Sequence, residues 1–157
     1  MLSVKTCSYL VLVLVSVQFA GCSSLKTYPN DLPKNVRVQT KTSSGSIFQK
    51  LNAGLNIYEV DRQCQTAYLG TVDLHHPVVD VGLPVQKQIY LEFTFDKSAR
   101  FYNSSSSMNY GTLLRPILSR QYVIDVSYLD DLYQVKIREK GAPSAIERKP
   151  LESCKQK

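Results

Sequence analysis

Four cysteines, at positions 7, 22, 64 and 154, offer most of the chemistry available to this 157-residue chain. A cysteine thiolate attacks electrophiles, binds metal ions or forms a disulfide, depending on its surroundings. No two of these cysteines have the C-x-x-C spacing that is typical of thioredoxin-like motifs and of zinc sites. The spacing therefore predicts neither a redox-active pair nor a zinc centre.

Histidines and acidic residues add little to this chemistry. His75 and His76 are the only histidines, and adjacent residues on a strand point to opposite faces, which disfavours joint binding of one metal ion. A catalytic Ser-His-Asp or Cys-His arrangement therefore cannot be assembled convincingly from the residues present. Asp130 and Asp131 lack the oxygen-rich loop and the glycine of an EF-hand, and we interpret them as a hairpin tip. We expect no enzymatic activity, no metal and no cofactor.

The first 22 residues have the composition of an export signal. Lys5 precedes an apolar run over residues 9–20, which is shorter than the roughly twenty residues that a membrane-spanning helix needs. The end of the run, Phe19-Ala20-Gly21-Cys22, resembles the bacterial lipobox, in which cleavage falls before a cysteine that carries diacylglycerol. The resemblance implies that residues 1–21 are a signal peptide and that Cys22 is acylated. An ordinary signal peptide with a chance cysteine is the alternative.

Ser23 would be the second residue of the mature chain. In the enterobacterial sorting pattern, an aspartate at this place retains a lipoprotein in the inner membrane. The lipobox resemblance, combined with Ser23, therefore implies an anchor in the outer membrane of a Gram-negative cell, facing the periplasm or the cell surface.

Two cysteines remain when Cys7 leaves with the signal and Cys22 is acylated. An exported protein meets an environment that permits disulfides, so we expect Cys64 and Cys154 to pair, with two free thiols as the alternative. On the chain-entropy model, a bond that closes the loop of about 90 residues between Cys64 and Cys154 stabilises the fold by about 4–5 kcal/mol. It would also fix residues 141–157, a segment with little periodic pattern.

The basic charge does not indicate a nucleic-acid partner. The formal net charge of the sequence is +6, and removal of residues 1–21, which contain Lys5 and no acid, lowers it to +5. Basic positions alternate with acidic and apolar ones, as in Lys136-Ile137-Arg138-Glu139-Lys140, and no run of four basic residues occurs. This pattern is typical of solvated strand faces and leaves room for a mild attraction to anionic lipid or polysaccharide.

Beyond Cys22 the apolar residues recur with period two, which predicts strands. Residues 22–34 are polar and broken by prolines, and we interpret them as the lipidated cysteine and a flexible tether before a domain over residues 35–157. Seven short strands about ten residues apart predict a small antiparallel β-sandwich, with an open β-barrel as the alternative. They fall near residues 36–41, 55–58, 67–74, 79–83, 89–95, 122–128 and 133–138.

Two of these strands carry more detailed predictions. Pro77 and Pro84 bracket the fourth strand and favour an edge position for it. With a turn at Asp130-Asp131, the last two strands form a hairpin in which three apolar pairs share one face, and a slip by one residue would turn Lys136 and Arg138 inward. The predicted pairs are Tyr128 with Tyr133, Val126 with Val135, and Ile124 with Ile137.

Part of the chain resembles a PEGA-type module. In such modules a strand, a glycine-marked strand, a Leu-Pro step and a long strand follow in order. The corresponding stretches are Leu55-Asn56-Ile57-Tyr58, Tyr68-Leu69-Gly70-Thr71, residues 79–84 ending in Leu83-Pro84, and Tyr90-Leu91-Glu92-Phe93. The charged glycine pair typical of the family's turn is missing. The resemblance implies an envelope-associated sandwich without catalysis.

Tyrosines on outward strand faces provide a candidate binding surface, because tyrosine is favoured at interfaces. We assign to it Tyr58 and Tyr90, together with Asn103 and Tyr110 from a serine-rich segment over residues 103–112, which we predict to be a loop. We expect a non-catalytic, outer-membrane-anchored lipoprotein that binds or scaffolds an envelope protein or polymer. The alternatives are an inhibitor of a secreted or host hydrolase, acting through the 103–112 segment, and an accessory subunit of a secretion or pilus system.

Overall fold

The computed structural model of the protein describes residues 25–42, 49–99, 105–129 and 132–155. These ranges contain nine strands followed by a short 3₁₀ helix over Leu151–Lys155. The strands are β1 (Val36–Thr42), β2 (Gln49–Val60), β3 (Thr66–Asp73), β4 (Val78–Val81), β5 (Gln88–Ala99), β6 (Ser105–Leu114), β7 (Tyr122–Leu129), β8 (Leu132–Glu139) and β9 (Ala145–Ile146).

The strands form two sheets, and the predicted β-sandwich is confirmed. Sheet I has the order β3-β2-β5-β6, and sheet II has the order β4-β1-β7-β8-β9. The two sheets do not close into a barrel. The β1–β7 pair is parallel, whereas the other pairs of named strands are antiparallel.

The core lies between the two sheets and follows from the period-two pattern. Alternate residues of each central strand point inward, where they lose nearly all solvent contact. Full burial of a large apolar side chain contributes about 1.5–3 kcal/mol, so a dozen of them dominate the stability of the fold. The most deeply buried include Val38, Leu55, Ile57, Ile89, Leu91, Phe93, Phe95, Ile124 and Val126.

The hairpin prediction is confirmed to the residue. Strands β7 and β8 pair Tyr128 with Tyr133, Val126 with Val135 and Ile124 with Ile137. Arg138 stays on the outer face, where its Nε donates to Asp125 at 3.2 Å. The turn predicted at residues 130–131 lies outside the described residues. Strand β4, bracketed by the two prolines, is an edge strand as predicted.

The serine-rich segment is not a loop from Ser105 onward, and that prediction is wrong there. It forms β6, an edge strand that pairs with β5 from Ser98–Ser105 to Ile89–Leu114. Tyr110, Thr112 and Leu114 face the core side, and Gly111 and Leu113 alternate with them. The alternation is present, but small and polar residues conceal it in the sequence.

The second half of the predicted tether is also different in the structure. Residues 26–35, which we call the N-terminal strap, pack along one side of the sandwich. Tyr28 is only 6% exposed and belongs to the core. Its hydroxyl donates to the Gly82 carbonyl at 2.7 Å, and its amide donates to the Thr71 carbonyl at 2.9 Å. The Thr71 amide in turn donates to the Lys26 carbonyl at 2.8 Å.

Two asparagines fix the rest of the strap to the end of β4. The Gly82 amide donates to Oδ1 of Asn30 at 2.8 Å, and Nδ2 of Asn30 donates to the Asp80 carbonyl at 3.1 Å. Asn35 exchanges two hydrogen bonds of 2.8 Å with the backbone of Leu83. The strap thus bonds to β3 of sheet I and to the β4 region of sheet II, so it closes the sandwich on the side of these two edge strands.

The C-terminal segment covers the edge of sheet I opposite β3. The Leu113 amide donates to the Lys149 carbonyl at 2.7 Å, and the Arg148 Nε donates to the Gly111 carbonyl at 3.0 Å. The predicted Cys64–Cys154 disulfide is confirmed, with Cα atoms 5.9 Å apart. It ties the 3₁₀ helix to the connection between β2 and β3.

Docking of the strap depends on a close approach at Gly82. A Cβ atom at this position would lie 2.2 Å from the Leu32 carbonyl oxygen, at a backbone that does not require glycine. We predict that Gly82→Ala displaces the strap, costs about 1–3 kcal/mol of unfolding free energy, and accelerates tryptic cleavage after Lys34. Leu132→Ala is the control, because this side chain is 73% exposed at the start of β8, away from the strap. Equal cleavage rates after Lys34 in the two variants would contradict the close packing of the strap.

Candidate functional site

Three tyrosines form a row across the outer face of sheet I. Tyr58 on β2 is paired with Tyr68 on β3 and with Tyr90 on β5, so the three side chains share one face. The ring centroids of Tyr58 and Tyr68 are 5.3 Å apart, and those of Tyr58 and Tyr90 are 5.9 Å apart. Tilted rings at these distances attract one another beyond simple burial. We call these residues the tyrosine row.

Glu92 lies beside the tyrosine row, one pair further along the strands. It is opposite Asn56 on β2 and Gly111 on β6. Its Oε2 accepts hydrogen bonds of 3.1 Å from the Tyr58 hydroxyl and from Nδ2 of Asn56. Within the described ranges, Oε1 has no hydrogen-bond partner and no cation pairs with the carboxylate. This oxygen is therefore able to accept a hydrogen bond from a ligand.

A hydrogen-bond network holds the row in place and connects it to the strap. The Thr71 hydroxyl donates to Oδ1 of Asn56, and it also hydrogen-bonds the Tyr68 hydroxyl. The Tyr68 hydroxyl lies 3.3 Å from the Lys26 carbonyl. The chain of contacts runs from the strap through β3 and β2 to Glu92 on β5, so these side chains have defined rotamers before any ligand arrives.

The electrostatic environment keeps the tyrosine hydroxyls protonated. Burial, followed by the negative charge and the hydrogen bond of Glu92, raises the pKa of Tyr58 to about 12. The pKa of Tyr90 is also raised, first by burial and then by Glu92 and Glu152, against an opposing effect of Arg148. At neutral pH both residues are therefore hydrogen-bond donors.

Gly111 provides the space for Tyr90. A Cβ atom at position 111 would lie 1.8 Å from the Tyr90 hydroxyl oxygen, so any side chain there would displace the ring. The Gly111 carbonyl meanwhile accepts from Arg148. The edge of the row thus depends on the smallest residue of β6 and on the C-terminal segment that covers this strand.

The predicted site residues have different locations in the structure. Tyr58 and Tyr90 lie together on the outer face, as expected. Tyr110 lies on the inner side of β6, where its ring is 6.3 Å from that of Phe93 and the Arg148 guanidinium is 4.6 Å from its centroid. It is therefore separate from the tyrosine row. Cys22 and Asn103 lie outside the described residues.

Sequence reasoning missed Tyr68 and Glu92 as members of the site. The pairing of β2 with β3 shifts between Ile57 and Tyr58, and this irregularity brings Tyr68 opposite Tyr58. Nothing in the sequence marks the position of the shift. Glu92 could have been identified from the sequence, because the period-two pattern of a strand places it on the same face as Tyr90.

The outer face of sheet II has a different character. Arg37 and Arg138 are paired there with Asp80 and Asp125, at 2.8 and 3.2 Å. Lys41 and Lys136 are exposed on the same sheet. This is the solvated strand face that the alternating charges predict, and exposed pairs of this kind contribute little to stability.

Comparisons with family models, with curated proteins and with solved structures gave no match. Among the described residues, no three or more His, Cys, Asp or Glu side chains are grouped so that they could hold a metal ion. No helix in the described ranges is long and apolar enough to cross a membrane.

The coupling of Tyr58 to Glu92 is testable by titration. We predict that Glu92→Gln lowers the pKa of Tyr58 from about 12 towards the ordinary value of 10, because the phenolate no longer faces a negative carboxylate. NMR of tyrosine labelled with ¹³C at Cζ measures this pKa, and Tyr58→Phe assigns the signal. Tyr28 is the internal control, since burial and Asp31 raise its pKa and Glu92 does not contribute. An unchanged pKa of Tyr58 would contradict the coupling.

Proposed function

We propose that the protein is a non-catalytic lipoprotein of the bacterial cell envelope that binds an envelope protein or polymer through the tyrosine row and Glu92. Acylated Cys22 would hold it in the outer membrane. The lipobox-like residues 19–22 and Ser23 support the anchor, and the resemblance to PEGA-type modules supports the envelope setting. The single observation that carries the binding role is the tyrosine row beside a carboxylate oxygen that has no partner among the described residues.

The chemistry of this face suits recognition. Tyrosine combines a large ring with a hydroxyl and has few rotatable bonds, so it gives contact area at a low cost in conformational entropy. The Tyr90 hydroxyl keeps its proton and is able to donate a hydrogen bond to a partner, whereas the Tyr58 hydroxyl already donates to Oε2 of Glu92. Oε1 of Glu92 is able to accept a hydrogen bond from the partner. A partner would therefore meet apolar rings, one hydroxyl donor and one charged acceptor within a single surface.

The rigidity of the face favours binding. Ordering a free side chain on binding costs about 0.5–1.5 kcal/mol. Tyr58 is already held by two neighbouring rings and by Glu92, and Tyr68 is held by Thr71. Because the residues are located on neighbouring strands of one sheet, their spacing is fixed by backbone pairing. Little of this cost remains to be met when a partner binds.

The inhibitor alternative has less support. It depended on a protruding loop at residues 103–112, and residues 105–112 belong to β6. The second alternative, an accessory subunit of a secretion or pilus system, is compatible with a partner bound at the tyrosine row. The experiment below identifies the partner that binds there.

Site-specific photocrosslinking in the producing cell tests the binding role. We predict that p-benzoylphenylalanine in place of Tyr90 gives a discrete crosslinked product, which mass spectrometry then identifies. The same photoreactive residue in place of Leu132, an exposed position on β8 of the other sheet, is the control and gives none. Glu92→Gln lowers the yield at least about tenfold, since a hydrogen bond to a charged acceptor contributes about 1.5–3 kcal/mol.

Three results would count against the proposal. The binding role fails if position 90 gives no product, or if positions 90 and 132 give the same products. A yield that does not respond to Glu92→Gln would remove Glu92 from the site.

A further inference from the structure

We infer that one side of the sandwich, formed by the N-terminal strap and the edge strands β3 and β4, rests on the bilayer surface. Four exposed apolar or aromatic side chains belong to the strap, to the residue that precedes it or to these two edge strands, and we call them the lipid-facing edge: Leu25, Leu32, Tyr68 and Val78. The inference rests on the acylation of Cys22 proposed above and goes further, because it orients the domain relative to the membrane.

The chain between the anchor and the fold is short. Lys26 is fixed on β3, because its carbonyl accepts from the Thr71 amide at 2.8 Å. Only Ser23, Ser24 and Leu25 separate Cys22 from Lys26. Four residue steps span about 14 Å at most, whereas the tether expected from sequence, residues 22–34, would have reached roughly 40 Å. The docked strap therefore holds β3 next to the lipid.

The strap and the two edge strands expose apolar and aromatic side chains close to this short connection. Leu25 is 73% exposed, Leu32 is 42% exposed, Val78 is 48% exposed and Tyr68 is 36% exposed. Leu25 precedes the fixed Lys26, Leu32 lies against Gly82 just after β4, and Val78 and Tyr68 belong to the two edge strands. Transfer of leucine and valine side chains out of water lowers the free energy, and tyrosine is favoured at the membrane–water boundary.

The bilayer is the occupant that these observations favour. Acyl chains at Cys22 insert into the membrane, so any apolar side chain within the reach of the connection is delivered to the lipid interface without a further cost of association. The other exposed apolar residues include Leu118, between β6 and β7, and Ile146 on β9, the edge strand opposite β4. With strands about 4.8 Å apart, β9 lies about 19 Å from β4 across sheet II.

This orientation has a consequence for the candidate binding face. The β3/β4 side of the sandwich would face the membrane, and the planes of the two sheets would make a large angle with the membrane surface. The tyrosine row would then begin at Tyr68 beside the lipid and extend away from it through Tyr58 to Tyr90. A partner would approach this face in a direction parallel to the membrane plane rather than along the membrane normal.

Fluorescence quenching tests the orientation, because the sequence contains no tryptophan. Tyr68→Trp and Ile146→Trp each create a single-tryptophan protein, one at the lipid-facing edge and one on the opposite side. The full chain is purified with its lipid and reconstituted into vesicles of phosphatidylcholine with brominated acyl chains. We predict roughly twofold quenching for Tyr68→Trp and none for Ile146→Trp, since interfacial side chains enter about 5–10 Å into the boundary region.

A second measurement separates the two levels of the proposal. Mass spectrometry of the N-terminal peptide from the same sample reports whether Cys22 carries diacylglycerol. An unmodified Cys22 would refute the acylation and, with it, the docking. An acylated Cys22 with equal quenching at both positions, or with no quenching at position 68, would refute the docking alone. Leu25→Trp gives the same readout from an exposed position should Tyr68→Trp fail to fold.

Discussion

The burial of Tyr28 between two edge strands is the interaction on which the rest of the structure depends. A sandwich of two open sheets leaves core side chains and unpaired backbone groups accessible along its sides. Tyr28 places its ring in the core, donates its hydroxyl to Gly82 beyond β4, and exchanges backbone hydrogen bonds with β3 through the strap. The C-terminal segment hydrogen-bonds β6 through the Leu113 amide and the Lys149 carbonyl, and the Cys64–Cys154 disulfide ties its end to the connection between β2 and β3. The two ends of the domain thus close its two sides.

The same interaction connects the anchor to the candidate binding face. Once the strap is docked, the Lys26 carbonyl lies on β3 beside Tyr68, and the hydrogen bonds of Thr71 and Asn56 continue to Glu92. A short connection to Cys22 and an ordered tyrosine row are therefore two results of one packing arrangement. The proposed lipoprotein would present its recognition face at a fixed angle to the membrane instead of at the end of a flexible linker.

Sequence reasoning succeeded where a single physical rule dominates. Strict alternation of apolar residues determined the β7–β8 register, two prolines identified β4 as an edge strand, and elimination among four cysteines gave the disulfide. It failed where the determining feature is non-local. In β6 the inward positions include the polar Thr112 and the outward positions include Gly111, so the alternation is not one of apolar and polar residues. In the strap a single tyrosine is buried next to Pro29. The parallel β1–β7 pair and the irregular β2–β3 register leave no local pattern, so Tyr68 could not be placed beside Tyr58.

Amide hydrogen exchange at Tyr28 and Thr71 tests the central claim most directly. Both amides are donors in the bonds that fix the strap to β3, and slow exchange requires that these bonds persist. We expect protection at both amides comparable to that of Ile57 in the centre of sheet I. Exchange of the Tyr28 amide at the rate of an unstructured peptide, with Ile57 still protected, would show a free tether and contradict the account.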